Sequence, residues 1–169
     1  MAAVLSKHDI HRLLQQAPPL MEGHINLDEQ IQPNGIDLTL RELAMLQTSG
    51  KIAVKDRQVS DLAPLVFNGL DYIDLMPGAY LVTYNEIVHL PNNIMALARP
   101  RSSLLRCGVT VNTAVWDAGY SGRSQSLMVV YNPQGFRVQR NARIVQLVLL
   151  RLTQETEGYQ GAYQGENID

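Results

Sequence analysis

The apolar residues of this chain follow a helical period only near its start. Three aliphatic residues within Lys7–Leu14 fall on one face of a helix. Ser6 is a favourable N-cap residue, and Asp9 lies in the first turn, where a carboxylate suits the helix dipole. The pattern therefore predicts a short helix over Lys7–Leu14 that ends before Pro18-Pro19.

After residue 30 the period changes to two, and short apolar runs alternate with turn residues. Strands are predicted over residues 36–40, 52–54, 80–84, 94–98, 126–131 and 144–150. The last strand is the most apolar, so we predict that it is buried on both faces. Many short strands with one flanking helix predict a mainly β fold, a sandwich or a distorted jelly-roll barrel.

The length of 169 residues fits one compact domain. Apolar residues make up 46% and charged residues 18%, a composition that disfavours disorder. From Thr153 onward the chain loses its aliphatic residues and becomes rich in Gly, Gln, Tyr and acids. We therefore predict a single β domain over residues 1–152 and a mobile tail over residues 153–169.

The sequence lacks the motifs of several common sites. Its single cysteine, Cys107, cannot form a disulfide or a cysteine-based zinc site within one chain, and it favours a reducing, cytoplasmic setting. No run approaches the roughly 18 apolar residues of a membrane span. The motifs G-x-x-x-x-G-K-[ST] and G-x-G-x-x-G are absent, as is the H-x-E and P-C-x-x-C pair of zinc deaminases. We predict neither a membrane nor a nucleic acid as a partner.

Charge is distributed very unevenly along the chain. Eight arginines, no lysine and a single acid, Asp117, lie between Arg99 and Arg151, which gives this stretch a charge of +7. The rest of the chain carries −9, and the net charge of −2 conceals the contrast. One carboxylate within an arginine-rich stretch therefore marks the region to search for chemistry.

The segment from Arg99 to Arg106 combines the end of a strand with the start of a helix. Pro100 ends the strand, and Ser102 is predicted to be the N-cap of a helical turn over residues 103–106. Free N–H groups, two hydroxyls and flanking arginines would suit an oligophosphate. An ordinary helix cap with solvated arginines explains the same pattern, so the spacing alone leaves both interpretations open.

A second segment surrounds the lone acid. Gly119 and Gly122 permit tight turning and close backbone approach, Tyr120 offers a flat aromatic face, and Asp117 offers a carboxylate. A carboxylate near phosphates and a metal ion can orient and deprotonate a water for attack on phosphorus. An Asx turn with a locally satisfied carboxylate is the alternative. Trp116 is predicted to lie either in the core or in a pocket wall.

The order of these motifs resembles that of the dUTPase and dCTP deaminase superfamily. The main motifs are R-S-S-L-x-R-x-G from Arg101, D-x-G-Y-x-G from Asp117, Asn132, and R-I-x-Q-L from Arg143. Three further motifs are most similar to the archaeal-type, deaminase-like dUTPases: L-S-x-x-D-I from Leu5, I-Q-P-x-x-x-D-L from Ile31, and Y-x-G-x-Y-Q from Tyr159. The resemblance covers nearly the whole chain, and several motifs in order are more specific than any one of them.

The resemblance implies a distorted β-barrel or jelly roll and a homotrimer with active sites between subunits. The implied substrate is dUTP, with Mg²⁺ carried by its triphosphate rather than bound directly by protein residues. Asp37 matches an early family aspartate that holds water near the metal or supports the site.

The resemblance also assigns roles to single residues. Asp117 matches the aspartate that orients the attacking water, and Tyr120 matches the aromatic that packs on the deoxyribose. The other matched residues bind substrate: Arg101, Ser102, Ser103 and Arg106 at the phosphates, Gln146 in a later binding motif, Asn112 with Leu127, Met128 and Val129 near the pyrimidine, and Tyr163 with Gln164 in a closing tail. The remaining arginines of the stretch are expected at the rim of the site or in subunit contacts.

Deamination and hydrolysis share this fold and this triphosphate site, but they need different catalytic groups. The deaminase branch uses a glutamate on the strand after the D-x-G-Y-x-G turn as a general acid/base. Either register of this chain places Leu127 or Val129 there, and no acid occurs from residue 118 to residue 154. We therefore predict a dUTP diphosphatase that releases dUMP and pyrophosphate. A dCTP deaminase and a non-catalytic, nucleotide-sensing relative are the alternatives.

Overall fold

A computed structural model describes residues 3–168 and contains three helices and sixteen strands in that range. The helices are α1 (Lys7–Leu14), α2 (Leu27–Gln30) and α3 (Ser102–Arg106). The strands are β1 (Ala3–Val4), β2 (Met21–Glu22), β3 (Ile31–Gln32), β4 (Gly35–Leu46), β5 (Lys51–Ile52), β6 (Arg57–Gln58), β7 (Leu62–Pro64), β8 (Tyr72–Leu75), β9 (Gly78–Tyr84), β10 (Ile87–His89), β11 (Ile94–Pro100), β12 (Val109–Asn112), β13 (Ser121–Gly122), β14 (Gln125–Val130), β15 (Phe136–Gln139) and β16 (Arg143–Arg151). Residues 1, 2 and 169, which belong to the predicted domain and tail, lie outside the described residues.

A nine-stranded antiparallel sheet forms most of the fold and curls into a half-barrel. Its main path is β1-β16-β4-β9-β14-β12, with β11 also paired to β16, and β3 and β7 paired to β4. A three-stranded sheet, β13-β10-β2, and the two-stranded pairs β15-β8 and β5-β6 complete the structure. The mainly β fold with a short N-terminal helix, predicted from the periodicity, is confirmed.

The helix α1 begins as the sequence predicts. Ser6 is its N-cap, and the Asp9 N–H donates to Ser6 Oγ at 3.3 Å. The Asp9 carboxylate in turn accepts from the Ser6 N–H at 3.2 Å, which completes a capping box. Ile10 is fully buried and joins the helix to the hydrophobic core.

Five of the six predicted strands occur, four of them with bounds within two residues of those expected, whereas β4 continues to Leu46, six residues beyond its predicted end. The prediction over residues 52–54 is wrong, because β5 covers only Lys51–Ile52 and Ala53 lies in a turn, where its N–H donates to the Asp56 carbonyl at 2.8 Å. One face of β16 is fully buried, but Gln146, Val148 and Leu150 on the other face are half-buried. The prediction that β16 is buried on both faces is therefore only partly confirmed. Within residues 3–168, no helix has the length and apolar character needed to cross a membrane.

Strand β4 changes its neighbour halfway along its length. Its first half pairs with β16, for example Asp37 with Gln146, and its second half pairs with β9, for example Leu43 with Val82. Both ladders shift register close to this change. Such shifts bend a strand and increase its twist, so they account for the curl of the large sheet.

The buried residue Glu86 satisfies the backbone where β4 changes neighbours. Its carboxylate accepts from the Thr39 N–H at 2.9 Å, from the Thr39 hydroxyl at 2.6 Å and from Gln30 Nε2 at 2.7 Å. Asn85 Nδ2 adds a bond to Thr39 Oγ1 at 2.9 Å. Glu86 is completely buried, and this burial raises the pKa of its carboxyl, although the hydrogen bonds oppose the rise. These bonds fix the backbone path on either side of Thr39.

Replacing Glu86 should destabilise the fold strongly. We expect Glu86→Ala to lower the free energy of unfolding by about 2–4 kcal/mol, because it leaves the Thr39 N–H and two side-chain donors unpaired in the core. Urea denaturation at one fixed protein concentration measures this change. The control is Glu42→Ala, which removes an exposed carboxylate 3.2 Å from Arg41 Nε and should cost no more than about 0.5 kcal/mol. Equal effects of the two substitutions would contradict the proposed importance of the Glu86 bonds.

Candidate active site

A cavity of about 550 Å³ lies beside the segment that contains Asp117. Apolar side chains form part of its wall, and polar side chains come from the turn, from β14 and from the tail. The lining residues include Val59, Ser60, Leu81, Trp116, Asp117, Tyr120, Ser124, Gln125, Tyr159, Tyr163 and Glu166. A mostly apolar cavity with a few convergent polar groups is typical of a small-molecule site.

Asp117 lies exposed at this cavity, directly after the isolated bridge between Trp116 and Ala96. The Tyr120 N–H donates to the Asp117 backbone carbonyl at 3.1 Å and closes the turn. The Asp117 carboxylate makes no hydrogen bond or ion pair with any residue from 3 to 168, so the alternative of a locally satisfied Asx turn has no bond to support it. The carboxylate is therefore available to a ligand or a water.

Tyr120 is held rigidly at the same cavity. Only 5% of the residue is exposed, and its hydroxyl donates to Glu166 Oε1 at 2.9 Å. The Tyr159 ring packs edge-on against it, with 5.8 Å between the ring centres. Burial raises the pKa of Tyr120 and also raises the pKa of Glu166, although the bond from Tyr120 opposes the second change.

Trp116 occupies both of the positions that the sequence left open. It is 4% exposed and belongs to the core, where its ring lies 6.5 Å from that of Tyr84. Its Nε1 donates to Ser124 Oγ at 2.9 Å, and its surface also lines the cavity. Trp116 therefore connects the cavity wall to the core.

The tail reaches the cavity by packing against the turn that follows Asp117. The Tyr159 N–H donates to the Ala118 carbonyl at 2.9 Å, and the Gly165 N–H donates to the Ser121 carbonyl at 2.8 Å. Gly119 has a φ of +80°, and a Cβ there would lie 2.5 Å from Gly158 Cα. Only glycine allows this approach, as the sequence predicts for that position. The mobility expected from the tail's composition stays a prediction.

The two predicted tail residues are placed differently. Tyr163 lines the cavity and is 47% exposed. The Gln164 side chain accepts from the Ser121 N–H at 2.9 Å and donates to the Gly119 carbonyl at 3.0 Å. The Gln164 carboxamide thus holds the tail on the turn in this structure, whereas Tyr163 faces the space where a ligand would bind.

The structure corrects the predicted cap of α3. The N-cap is Arg101, which is extended with φ −64° and ψ 147° and makes no side-chain capping bond. Its carbonyl accepts from the Leu104 N–H at 2.9 Å. Because Arg101 continues the extended path of Pro100, the helix starts one residue earlier than predicted. Ser102 is therefore the first helical residue, and its exposed hydroxyl, like that of Ser103, is not used as a cap.

A buried carboxylate anchors two arginines at the base of this helix. Asp37 is 1% exposed, with Arg101 Nε at 3.0 Å and Arg143 Nη1 at 3.7 Å from its Oδ2. Burial raises the pKa of Asp37, and the two guanidinium groups oppose the rise. Gln146 on β16 is the ladder partner of Asp37 and is half-buried. Asp37 thus faces two cations, and the water-mediated metal contact expected from the resemblance stays a prediction.

The oxygen donors of the chain suit a metal ion that arrives with its own ligands. Among residues 3–168, no group of three or more His, Cys, Asp or Glu side chains could hold a metal ion. Mg²⁺ prefers oxygen ligands and is commonly bound by one or two carboxylates together with substrate phosphates. Asp117, with its unpaired carboxylate at the cavity, would lie near such an ion and hold a water rather than coordinate the ion.

Strands β12 and β14 form the hairpin predicted to read the pyrimidine. Their register places Asn112 opposite Leu127 and Val111 opposite Met128. Asn112 is exposed, and Leu127 is half-buried, as is Val129. Met128 is fully buried with its side chain in the core, so only its backbone could contribute to binding.

The predicted site residues do not all line one cavity of the single chain. Asn112, together with Leu105 of α3, lines a separate cavity of about 540 Å³. None of the residues that line it belongs to the cavity of Asp117, Tyr120 and the tail. Strand β14 still borders the cavity of Asp117 through Gln125, whereas none of the residues predicted to bind phosphate, Arg101, Ser102, Ser103 and Arg106, lines that cavity.

Several arginines expected at a rim or subunit contact also bind partners in their own chain, and their predicted location stays a prediction. Arg123 is 8% exposed, and its guanidinium donates to the backbone carbonyls of Asn167 and Asn85. The other such pairs are Arg137 with Asp74 at 2.7 Å, Arg140 with Asp71 at 3.2 Å, and Arg143 with Asp37. The sequence pattern of positive charge cannot distinguish arginines that pair within the chain from arginines that bind a ligand. The paired acids, Asp74, Asp71 and Asp37, all lie outside the arginine-rich stretch.

Sequence reasoning missed several polar residues of the cavity, among them Glu166 and Gln125. Glu166 comes from the tail and binds Tyr120, so Asp117 is not the only carboxylate there. Gln125 is the first residue of β14, and its Nε2 donates to Thr83 Oγ1 at 2.9 Å. A polar residue at the start of an apolar strand was a signal for Gln125, whereas only the fold reveals the position of Glu166.

Comparison with known proteins shows the family of the chain. Residues 4–152 match the family described as dCTP deaminase-like. Proteins named "Probable deoxyuridine 5'-triphosphate nucleotidohydrolase" from Methanosarcina mazei and Archaeoglobus fulgidus are 49% and 48% identical to this chain, over 99% of it and 99% of each relative. A relative of the same name from Aeropyrum pernix is 38% identical, over 88% of this chain and 92% of the relative.

A solved structure supports the fold independently of close sequence similarity. The 2'-deoxycytidine 5'-triphosphate deaminase from Agrobacterium tumefaciens superposes with a TM-score of 0.69 at 22% identity, over 89% of this chain and 48% of that one. The family match spans most of the chain, and the relatives match it from end to end. This chain therefore belongs to the dCTP deaminase-like family.

Proposed function

We propose that this protein hydrolyses dUTP to dUMP and pyrophosphate, with Asp117 orienting the attacking water. The proposal is supported by the unpaired Asp117 carboxylate beside Tyr120 in a cavity of about 550 Å³. It is also supported by relatives 45–49% identical over nearly the whole chain that are named as probable deoxyuridine triphosphate nucleotidohydrolases.

Neither β12 nor β14 carries a carboxylate, and this is the main reason to propose hydrolysis rather than deamination. Leu127 and Val129 are aliphatic and half-buried, and they stand opposite Asn112 and Thr110. Deamination without zinc needs a general acid/base that moves protons at the pyrimidine. Neither strand of this hairpin supplies one, whereas the attack of water on phosphorus needs only a base such as Asp117.

The proposed reaction is a hydrolysis at the α-phosphorus. The water oxygen forms a bond to the α-phosphorus, and the bond from that phosphorus to the bridging oxygen of the β-phosphate breaks. The Asp117 carboxylate accepts a proton from the water, and the pyrophosphate leaves with the bridging oxygen. A bound Mg²⁺ ion would stabilise negative charge on the phosphate oxygens.

The residues around the cavity would hold the nucleoside part of dUTP. The Tyr120 ring, fixed by its bond to Glu166, provides the flat surface for the deoxyribose. Tyr163 of the tail lines the same space and would cover the nucleotide. Both rings exclude water from the reacting phosphate, apart from the water that Asp117 orients.

The phosphates would bind at the start of α3. Ser102 and Ser103 present hydroxyls and helix N–H groups, and Arg106 supplies positive charge. Arg101 lies at the base of the helix, where Asp37 orients its guanidinium. Gln146 lies beside this anchor on β16.

We further propose that the complete site forms between copies of the chain. No residue of α3 lines the cavity of Asp117 in the single chain, which supports a site in which a second copy brings its α3 to that carboxylate. The homotrimer implied by the resemblance meets this need. We also propose a cytoplasmic location, which the single cysteine favours.

Replacing the proposed base tests the mechanism. We expect Asp117→Asn to lower kcat for dUTP by about 10²–10⁴-fold, because an amide cannot accept the proton of the water. The Kd for dUTP should stay within about tenfold, since the side chain keeps its shape. Pyrophosphate release measures turnover, and calorimetry with the variant measures binding. Asp28→Asn, an exposed change on α2, is the matched control. Unchanged turnover in Asp117→Asn would refute the mechanism.

A substrate panel separates the candidate functions. With each deoxynucleoside triphosphate in turn, we expect pyrophosphate from dUTP and no ammonia from dCTP. Chelation of Mg²⁺ should abolish pyrophosphate release, and added Mg²⁺ should restore it, because the triphosphate binds with its metal. Ammonia from dCTP would identify a deaminase, with Glu166 as the first carboxylate to examine. Tight binding of dUTP without turnover would identify a sensing protein.

Docking of the tail should depend on pH through Glu166. Because burial raises the pKa of Glu166 above the ordinary value near 4.5, the docked tail holds this proton more tightly than a free tail. Docking should therefore strengthen as the pH falls through the raised pKa and weaken as it rises above it. The titratable groups around Glu166 are the Tyr120 and Tyr159 hydroxyls, Arg123 and Asp117.

Hydrogen exchange provides the measurement. After correction for the intrinsic rate, protection of the Tyr159 and Gly165 amides should be higher at about pH 5 than at about pH 8. Glu166→Gln should give high protection at both values, because it carries no charge to bury. Protection in the unmodified protein that rises with pH would contradict the role of Glu166.

A further inference from the structure

The hairpin of β5 and β6 stands apart from the large sheet. In the part of the chain that the structure describes, these two strands pair only with each other. At the root of the hairpin the Asp61 N–H donates to Thr48 Oγ1 at 2.9 Å. Ile52 and Val54 are 82% and 100% exposed, so the hairpin places little apolar surface in the core. Contacts other than strand pairing must therefore determine the position of β6.

The tail supplies such a contact. The guanidinium carbon of Arg57, on β6, lies 5.5 Å from the centre of the Tyr163 ring. This distance is within the range of a cation–π interaction, which is favourable even at exposed sites. Tyr163 also lines the cavity of Asp117, so its ring connects the hairpin to the candidate active site.

Hairpin and tail together form part of the cavity wall. Val59 and Ser60 follow β6 and line the cavity beside the tail residues Tyr163 and Glu166. The rest of the tail is held on the turn after Asp117 by backbone bonds and by Gln164. Tyr163 is the point where the tail meets the hairpin, and displacing it would open the wall between them.

We propose that Arg57 on the β5–β6 hairpin is a positioning residue that holds the Tyr163 ring of the docked tail over the cavity. Arg57 acts through the Tyr163 ring and does not itself touch the reacting atoms. The proposal rests on the proposed function only in that the cavity binds a nucleotide. The contact between hairpin and tail can be tested without any substrate.

Hydrogen exchange of the tail in the full-length protein tests the contact directly. We expect Arg57→Ala to raise the exchange rate of amides in residues 159–166 by about two- to fivefold, which is the factor that an exposed cation–π contact supplies. Lys55→Ala is the matched control, because it removes one positive charge from the exposed turn of the same hairpin. That control should leave the exchange rates unchanged.

A double-mutant cycle distinguishes the contact from a general loosening of the hairpin. Tyr163→Ala should raise exchange as much as Arg57→Ala, and the combined variant should show no further increase. Tyr163→Phe and Arg57→Lys should keep most of the protection, because they retain the ring and the cation. Additive effects, or equal effects of Arg57→Ala and Lys55→Ala, would overturn the proposal.

Kinetics connect the contact to the site. We expect Arg57→Ala to raise KM for dUTP by about two- to fivefold with kcat within about twofold, because the tail positions substrate and does not react. An unchanged KM would overturn the positioning role. Absence of dUTP hydrolysis in the unmodified protein would refute the proposed function instead, and the exchange experiment would still decide whether Arg57 holds the tail.

Discussion

The fold and the site both depend on the hydrogen bonds that Glu86 accepts where β4 changes neighbours. Without an acceptor for the Thr39 N–H at 2.9 Å, the change from β16 to β9 would leave a buried backbone donor unpaired. Asp37 lies two residues earlier on the same strand, and Gln30, which binds Glu86, also donates to the Asp37 carbonyl at 2.9 Å. The bonds that satisfy the backbone where β4 changes neighbours therefore also hold the strand that carries Asp37, the carboxylate beside Arg101 and Arg143.

The turn after Asp117 combines two tasks that need different residues. Its glycines leave room for the tail, and Gly119 would collide with Gly158 if it carried a side chain. Its larger residues face the cavity, where Tyr120 is held by Glu166. The same short turn thus binds the tail and shapes the cavity. This explains why Glu166, 46 residues after Tyr120, contributes to the site.

Features that depend on short stretches of sequence were predictable, and features that depend on distant contacts were not. The capping box of α1, most strands and the turn at Gly119 follow from local pattern. The cap of α3 was misassigned, because Ser102 has good cap chemistry but Arg101 keeps the extended path of the preceding proline. The roles of Glu166 and Arg57 required the tail to be placed, and arginine pairing required the positions of acids far along the chain.

In the proposed function, one chain carries two halves of a dUTP-hydrolysing site, and these halves meet only between copies. The most direct test mixes two inactive variants, Asp117→Asn and Arg106→Ala, by unfolding and refolding them together and then measuring pyrophosphate release from dUTP. If copies mix at random, sites with both native residues should restore about a quarter of the activity of the unmodified protein. Activity no higher than the sum of the two separate variants would contradict the claim.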